Sequence, residues 1–302
     1  MAVHQVKPND TLQSIANQYG VTTESIMAAN VICNPNYLPV GQPLVIPEPN
    51  PTAPPDSQRV TIKAGGSPYY VVNQGDTLLC LARQFSQSVE SLIQTNQISH
   101  PNRLTPGMEL LVKQEMPDPQ ELLKRWADVT IDQCDLINMA WNEAIYYRGS
   151  FQWEALGEKA VPYLRLLLKH PCDTVRSSAV TSLGRIARGR GVASALQQAL
   201  LDQDDLVVQK ARLALKRYQL VQRWGKRVHI TMNPMRLYNN PVPNASSTNI
   251  PEGTPIIILR WWISVPNEEE AMGYQFFDYV QILETGETGY LPRAANGPMM
   301  YI

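Results

Sequence analysis

The chain has 302 residues, room for two average domains or several small modules, and 44% of them are hydrophobic with 13 Tyr and 6 Trp, which excludes a disordered tether. Charged residues are sparse at 18%, and 24 prolines exceed the usual ~5% share, so extended connectors between folded parts are expected. A formal net charge of −1 excludes a global attraction to nucleic acid or to an anionic membrane.

The opening residues MAVHQVKPNDTLQ have neither the basic start nor the apolar stretch of a secretion signal, and no later run approaches the ~18 apolar residues of a membrane span. Neither a signal peptide nor a span is expected. Cys33, Cys80, Cys134 and Cys172 are scattered, without a CxxC pair and without a histidine at ligand spacing, so no metal and no cofactor are expected. The cysteines read as small buried hydrophobes rather than a disulfide framework, with a Cys33–Cys80 pair left open.

Residues 4–46 superimpose without a gap on residues 70–112 at a constant shift of 66. Identical pairs include Asp10/Asp76, Thr11/Thr77, Leu12/Leu78, Ala16/Ala82, Asn30/Asn96, Ile32/Ile98, Pro35/Pro101, Leu38/Leu104 and Gly41/Gly107. Each copy reads strand, helix, helix, strand. Leu12, Ile15, Ala16 and Tyr19 keep the spacing of one apolar helix face, Asp10 is placed as N-cap with Gln13 three residues on, a second helix runs from about Thr23 to Ala29, and PLVIP at 43–47 closes the unit as a strand. The pattern "xVxxGDTLxxIAxxxxVxxxxIxxANxIxxPxxLxxGxxLxIP" resembles the lysin motif, LysM, a βααβ module that recognises N-acetylglucosamine-containing glycans such as peptidoglycan and chitin. The resemblance implies a shallow groove between the loop before the first helix and the loop after the second. In copy one those loops hold Asn9, Asp10, Thr11 and Leu12 with Asn30, Val31 and Ile32; in copy two they hold Gly75, Asp76, Thr77 and Leu78 with Asn96, Gln97 and Ile98. Helix-end amides and carbonyls suit acetamido groups, and the apolar side chains suit sugar faces; the structural alternative is that the aspartates cap helices and the leucines are core. Copy one has Asn9 where the family has Gly, a residue that tolerates left-handed backbone. Copy two carries Cys80 and Ser86-Gln87 at unusual positions.

The copies give modules over 1–48 and 69–115. Between them lies a linker over 49–68; the stretch 47–68 holds six prolines and a Gly-Gly and reads as a semi-extended spacer ending in a flexible joint, either passive or giving both grooves reach along one polymer. From 117 to 224 the period is helical, and 160–185 aligns on 192–217 at a shift of 32, sharing Leu164/Leu196, Asp173/Asp205, Val175/Val207, Leu183/Leu215 and Arg185/Arg217. This resembles the HEAT repeat, with 119–148 as an N-terminal cap. A solenoid of that kind implies a protein partner on its concave face, with a plain spacer as the alternative.

Between residues 174 and 250, 12 Lys or Arg stand against three acids, a local +9 that leaves −10 elsewhere. Arg176, Arg185, Arg188, Arg190, Lys210 and Arg217 are the candidates for an anionic-partner patch; the alternative is a set of solvated helix faces, and nucleic acid is not the expected partner. From 225 to 302, RVHITM, PIIILRWWISV and FFDYVQIL are strands separated by turn signals, predicting a small antiparallel barrel. MRLYNNPVPNASS, IPEGTPIIIL and GYLPR resemble a bacterial Src-homology-3-type module, a family linked to wall peptides or protein ligands. Trp261, Trp262, Tyr274 and Phe276 read as core or rim aromatics.

The expected class is therefore a multidomain α+β chain: two βααβ LysM modules, an α-helical HEAT-like solenoid and a small C-terminal antiparallel β-barrel. No catalytic residue is expected. No Cys follows Cys172 for a papain-like nucleophile, the four histidines fall in four segments rather than one zinc site, and the Asp132/Asp135 pair reads as surface. The functional expectation is non-catalytic binding of peptidoglycan or another N-acetylglucosamine polymer in the cell envelope or spore layers. A cytoplasmic protein scaffold and, further off, a wall-remodelling enzyme are the alternatives.

Overall fold

The computed structural model describes residues 2–48, 68–112, 116–130, 134, 143–242, 245–267, 274–293 and 301–302. The proline-rich connector at 49–67 and most of the segment 131–142 lie outside the described residues.

Module 1 is β1 (Ala2–Gln5), α1 (Leu12–Tyr19), α2 (Thr23–Ala29) and β2 (Pro43–Ile46); module 2 is β3 (Tyr69–Val71), α3 (Leu78–Phe85), α4 (Val89–Asn96) and β4 (Glu109–Leu111). In both, the outer strands pair antiparallel, Ala2 opposite Ile46 and Tyr69 opposite Leu111. The N-cap of α1 is Thr11, not Asp10: Thr11 Oγ1 accepts from the Ser14 amide at 3.0 Å and Ser14 Oγ accepts from the Thr11 amide at 2.9 Å, a reciprocal capping box. Thr77 caps α3 by accepting from the Cys80 amide, without the reciprocal bond. Both Asp and Thr are good caps, and here the aspartate is committed to the preceding turn. Each unit buries a small core of its own, Val6, Leu12, Ile15, Ile26 and Leu44 in module 1 and Val72, Leu78, Leu81, Leu92 and Leu110 in module 2.

The cysteines correct the reading of buried hydrophobes. Cys33 is bonded to Cys80 and Cys134 to Cys172, and among the described residues no free cysteine remains. The first bond ties the two modules together; the second ties the stretch after α5 (Pro119–Ala127) to the start of α8 (Asp173–Ile186). Spacing along the chain carries no information on such pairings.

The helical region continues with α6 (Arg148–Leu156), α7 (Val161–Leu167), α8, α9 (Arg190–Ala199) and α10 (Asp205–Trp224). Asp118 starts α5 by accepting from the Gln120 and Glu121 amides, with Pro119 at the first helical position where no donor is missed. One apolar cluster runs through all of these helices, from Trp126 and Trp153 to Leu164, Leu183, Leu196 and Ala214. The inner face of the helix pairs is not open along its length: Ile302 packs against Gly184 and Ala214.

Residues beyond 225 form β5 (Val228–Ile230), β6 (Met235–Tyr238), β7 (Ser247–Ile250), β8 (Pro255–Pro266), β9 (Tyr274–Ile282) and β10 (Thr288–Arg293) in one sheet of order β5-β8-β9-β10-β6-β7. This corrects the expected closed barrel: among the described residues β5 and β7 lie at opposite edges, and the sheet does not establish a Src-homology-3-type module. The physical reason lies in β8. Its apolar run is nearly continuous, as for a strand covered on both sides, and its register shifts between Ile258 and Ile263, with Trp262 at φ +55°. Such a break re-aims side chains. Ile256, Ile258 and Trp261 pack with Phe151, Ala155, Tyr69 and Leu111, whereas Ile263 and Val265 pack with Val45 of module 1. Leu237, Ile250, Ile258, Val280 and Leu291 from β6 to β10 share one core, which residues of module 2 and of α6 extend.

Candidate functional site

The groove in module 1 is built by two turns facing each other across the start of α1. In the first, Asn9 adopts φ +71°, the left-handed conformation that asparagine tolerates. Asp10 Oδ2 then accepts from the Lys7 amide at 2.7 Å and contacts His4 Nε2 at 2.7 Å. The Lys7 amide, and next to it His4, hold the Asp10 carboxyl below its ordinary range, so it is a carboxylate fixed in the turn. The second turn is set by Asn34, whose Oδ1 accepts from the Asn36 amide at 3.0 Å and whose carbonyl accepts from the Tyr37 amide at 3.1 Å. Between these turns lies a cavity of about 330 Å³, lined by Asp10, Thr11, Leu12, Gln13, Thr23, Met27, Pro35, Asn36 and Leu38. It offers hydroxyl, amide and carboxylate groups over an apolar floor, the mixture that orients a polar ring by hydrogen bonds while covering its apolar face.

Of the residues read from the sequence, Asp10, Thr11 and Leu12 line this cavity and Asn9 sets its turn. Asn30, Val31 and Ile32 stand away from it, all below 9% exposure. Asn30 is a clamp between the end of α2 and the closing strand: Nδ2 donates to the carbonyls of Ile26 and Val45, both at 2.8 Å, and Oδ1 accepts from the Val45 amide at 2.9 Å. Asn96 repeats the pattern with the Leu92 and Leu111 carbonyls and the Leu111 amide. The sequence reading missed Gln13, Thr23, Met27, Pro35, Asn36 and Leu38. A signal was present for two of them, since Pro35 and Leu38 recur as Pro101 and Leu104 although neither copy buries the proline.

In module 2, Gly75 at φ +87° replaces Asn9, and Asp76 again accepts from the amide three residues back, Asn73, at 2.7 Å. Tyr70 takes the place of His4, donating to Asp76 at 2.8 Å. Thr77 is exposed and Leu78 buried, as Thr11 and Leu12 are; Gln97 is exposed as the left-handed cap of α4, with its amide against Gly157 of the helical region, and Ile98 is half-buried. Leu79, in the place of Gln13, is 55% exposed, and Val89 and Ile93 replace Thr23 and Met27. Compared with module 1, the side chains at these positions are thus more apolar in module 2. Its aspartate is also shifted the other way: burial raises the Asp76 carboxyl above its ordinary range, against the hydrogen bonds from Asn73 and Tyr70.

The six basic residues do not assemble a patch. Arg176 is buried and bidentate on Asp202, at 2.8 and 3.0 Å, with further bonds to the His170 and Pro171 carbonyls. Arg217 is 1% exposed and donates to the carbonyls of Gly184, Arg185, Lys226 and Val228. Arg185 is buried with its guanidinium 4.2 Å from the Phe151 ring centre, and Lys210 is half-buried beside Ser177. Arg188 and Arg190 are exposed. The guanidinium fork suits helix-end carbonyls, so these charges join elements of the fold.

Around Arg185 and Arg217, module 2, the helical region and the sheet meet in a buried polar joint. Glu109 contacts His229 at 3.1 Å and accepts from Trp261 Nε1 at 3.0 Å, and Tyr69 donates to Glu154, which pairs with Lys226 at 3.1 Å. Burial pushes Glu109 up to about 8, against the nearby Arg217, and holds the His229 imidazole well below its ordinary value. Partners lying 120 and 152 residues from Glu109 left no sequence signal.

These geometries agree with the comparisons. The LysM domain model matches residues 4–47 and 70–113, and the HEAT repeats model matches residues 146–216. The chain carries two LysM domains. The chain is 32% identical over 117 residues to the secreted LysM effector ECP6 of Passalora fulva, covering 36% of this chain and 51% of that protein. It is 27% identical over 109 residues to the N-acetylmuramoyl-L-alanine amidase sle1 of Staphylococcus aureus, covering 36% of this chain and 32% of that one. The chain therefore spans about half the length of the first and a third of the second. The spore cortex-lytic enzyme SleL of Bacillus megaterium QM B1551 aligns over 96% of this chain and 88% of its own at 12% identity and a TM-score of 0.18, a likeness too slight to argue from. Among the described residues no helix is long and apolar enough to cross a membrane.

Proposed function

We propose that this chain binds a polymer containing N-acetylglucosamine, peptidoglycan or a related wall glycan, through its LysM domains, and that this stretch acts as a binding rather than a catalytic protein. The observation that carries the reading is the module 1 cavity, where Asp10, Thr11 and Leu12 of the expected groove face Pro35, Asn36 and Leu38, further along the loop after α2 than the expected Asn30, Val31 and Ile32. Asp10, Thr11, Gln13 and Asn36 offer hydrogen bonds there and Leu12, Met27 and Leu38 an apolar floor. Among the described residues the cysteines are paired, and the buried Glu109 and His229 are enclosed by Tyr69, Trp261 and Tyr301. Two disulfides favour an oxidising setting such as the cell envelope or spore layers over a reducing cytoplasm.

The test is titration of the chain with N-acetylglucosamine oligomers of increasing length, together with sedimentation on purified peptidoglycan. Binding should strengthen with length, and Gln13→Ala and Asn36→Ala should each weaken it about five-fold, the worth of one hydrogen bond at roughly 1 kcal/mol, without changing the melting temperature. No binding in either assay overturns the reading.

A further inference from the structure

The two modules are joined beside the module 1 cavity. Cys33 precedes Pro35 and Asn36, which line the module 1 cavity, and Cys80 lies in the first turn of α3, next to Leu79 and three residues after Thr77. Their disulfide holds the two Cα atoms 6.0 Å apart. Beside it, the Asn34 side chain covers Gly75 so closely that a Cβ added there would stand 2.9 Å from Asn34 Nδ2. Val31, from the same loop of module 1, is buried in the core of module 2 with Val72, Leu78, Leu81 and Leu110. The second loop of groove 1 is therefore packed on the first loop of groove 2 by a covalent bond, a tight backbone approach and an apolar anchor.

We propose that this joint makes the two grooves one rigid receptor for a single glycan chain, with the Cys33–Cys80 bond setting their spacing. The inference rests on the glycan-binding reading above and goes beyond it, because tandem modules on a proline-rich string would leave the separation of the grooves variable. A fixed separation makes the second contact intramolecular without the spread of distances that a flexible linker brings, which raises the effective concentration of the second site. The groove chemistry divides the work. The polar groove holding Gln13, Thr23 and Asn36 fixes the hydrogen-bonding edge of a sugar, and the groove presenting Leu79, Val89 and Ile93 takes an apolar sugar face further along the same chain.

The experiment compares the full chain with its Cys33→Ser, Cys80→Ser double variant by titration against an N-acetylglucosamine tetramer and an octamer. The intact chain should take two tetramers but one octamer, the octamer binding at least ten-fold tighter. The double variant should bind the tetramer as before and lose that gain. Val31→Ala is a second variant that retains both cysteines; it withdraws the apolar anchor from the core of module 2 and should reduce the octamer gain while leaving Asn34 and the groove 1 turn in place. Failure of all oligomers to bind the intact chain overturns the glycan reading itself. Binding of two octamers per chain, of one tetramer per chain, or an octamer gain unchanged in both variants overturns the rigid receptor and leaves the glycan reading standing.

Discussion

The two LysM modules are near copies in sequence, yet their equivalent aspartates are shifted in opposite directions. Asp10 sits beside solvent, and the Lys7 amide and His4 hold it low; Asp76 sits where Asn34 of the other module closes over Gly75, and burial raises it. What separates the modules is what each is packed against. Module 1 docks on the sheet through Val45 and through Gln5, which donates to the Tyr290 hydroxyl at 3.0 Å. Module 2 docks through Tyr69 and Glu109 in the polar joint, where module 1 has Val3 and Pro43 at the same repeat positions. A duplicated unit keeps its cap, clamp and core and differs on the surfaces that meet other elements.

The clamp tests the shared part. Asn30→Ala and Asn96→Ala each leave buried backbone groups of the closing strand unpaired and should cost about 2–4 kcal/mol in urea unfolding. Asn30→Ala is expected to be the costlier, because Asn30 Oδ1 also accepts from Arg260 and that half-buried guanidinium would lose its partner. Equal costs would show that docking on the sheet adds nothing to the clamp.

The polar joint gives module 2 a pH dependence that Pro43 denies to module 1. Folded Glu109 keeps its proton to about pH 8, whereas the unfolded chain releases it near 4.5, so this group's contribution is full below pH 4.5 and is lost as pH rises toward 8. His229 acts in the opposite sense: held neutral, it contributes above pH 6.5 and loses that contribution as pH falls below it. In melting curves taken between pH 6.5 and 8, Glu109→Gln should flatten the fall in stability seen in the parent chain. An unchanged slope would remove Glu109 from the joint.

Cap exchange should have a smaller effect. Thr11→Ala and Thr77→Ala should each cost about 1 kcal/mol, Thr11→Ala more because Ser14 completes a reciprocal box there. Least of all, Ser86 ends α3 at φ +55° where Gly20 ends α1 at φ +66°. Ser86→Gly should therefore raise stability by roughly 0.5 kcal/mol, since glycine enters the left-handed region without the steric cost of a Cβ.

The modules were legible because Leu12, Ile15, Ala16 and Leu44 are buried at repeat positions that keep the same character in the second copy. The left-handed backbone at Asn9 falls where the LysM pattern carries glycine, a conformation that asparagine tolerates. What stayed hidden depends on elements far apart in sequence. Arg176, Arg185 and Arg217 read as surface charge because counting charges ignores register, although the shift of 32 that equates Arg185 with Arg217 marks both as repeat positions. The order of the C-terminal sheet joins β5 to β8 and β10 to β6, distant pairings that strand patterns alone do not reveal. Asn30 looked like a sugar ligand because a buried clamp and a ligand use the same amide.

The most direct test follows the backbone amides of the isotope-labelled full chain by nuclear magnetic resonance while an N-acetylglucosamine oligomer is added. The glycan-binding account expects shifts at Asp10, Thr11, Leu12 and Gln13, at Thr23, and at Asn36 and Leu38, with a second set at Thr77, Leu78 and Leu79. Shifts confined to the helical repeats or the C-terminal sheet, or no shifts at all, would contradict it.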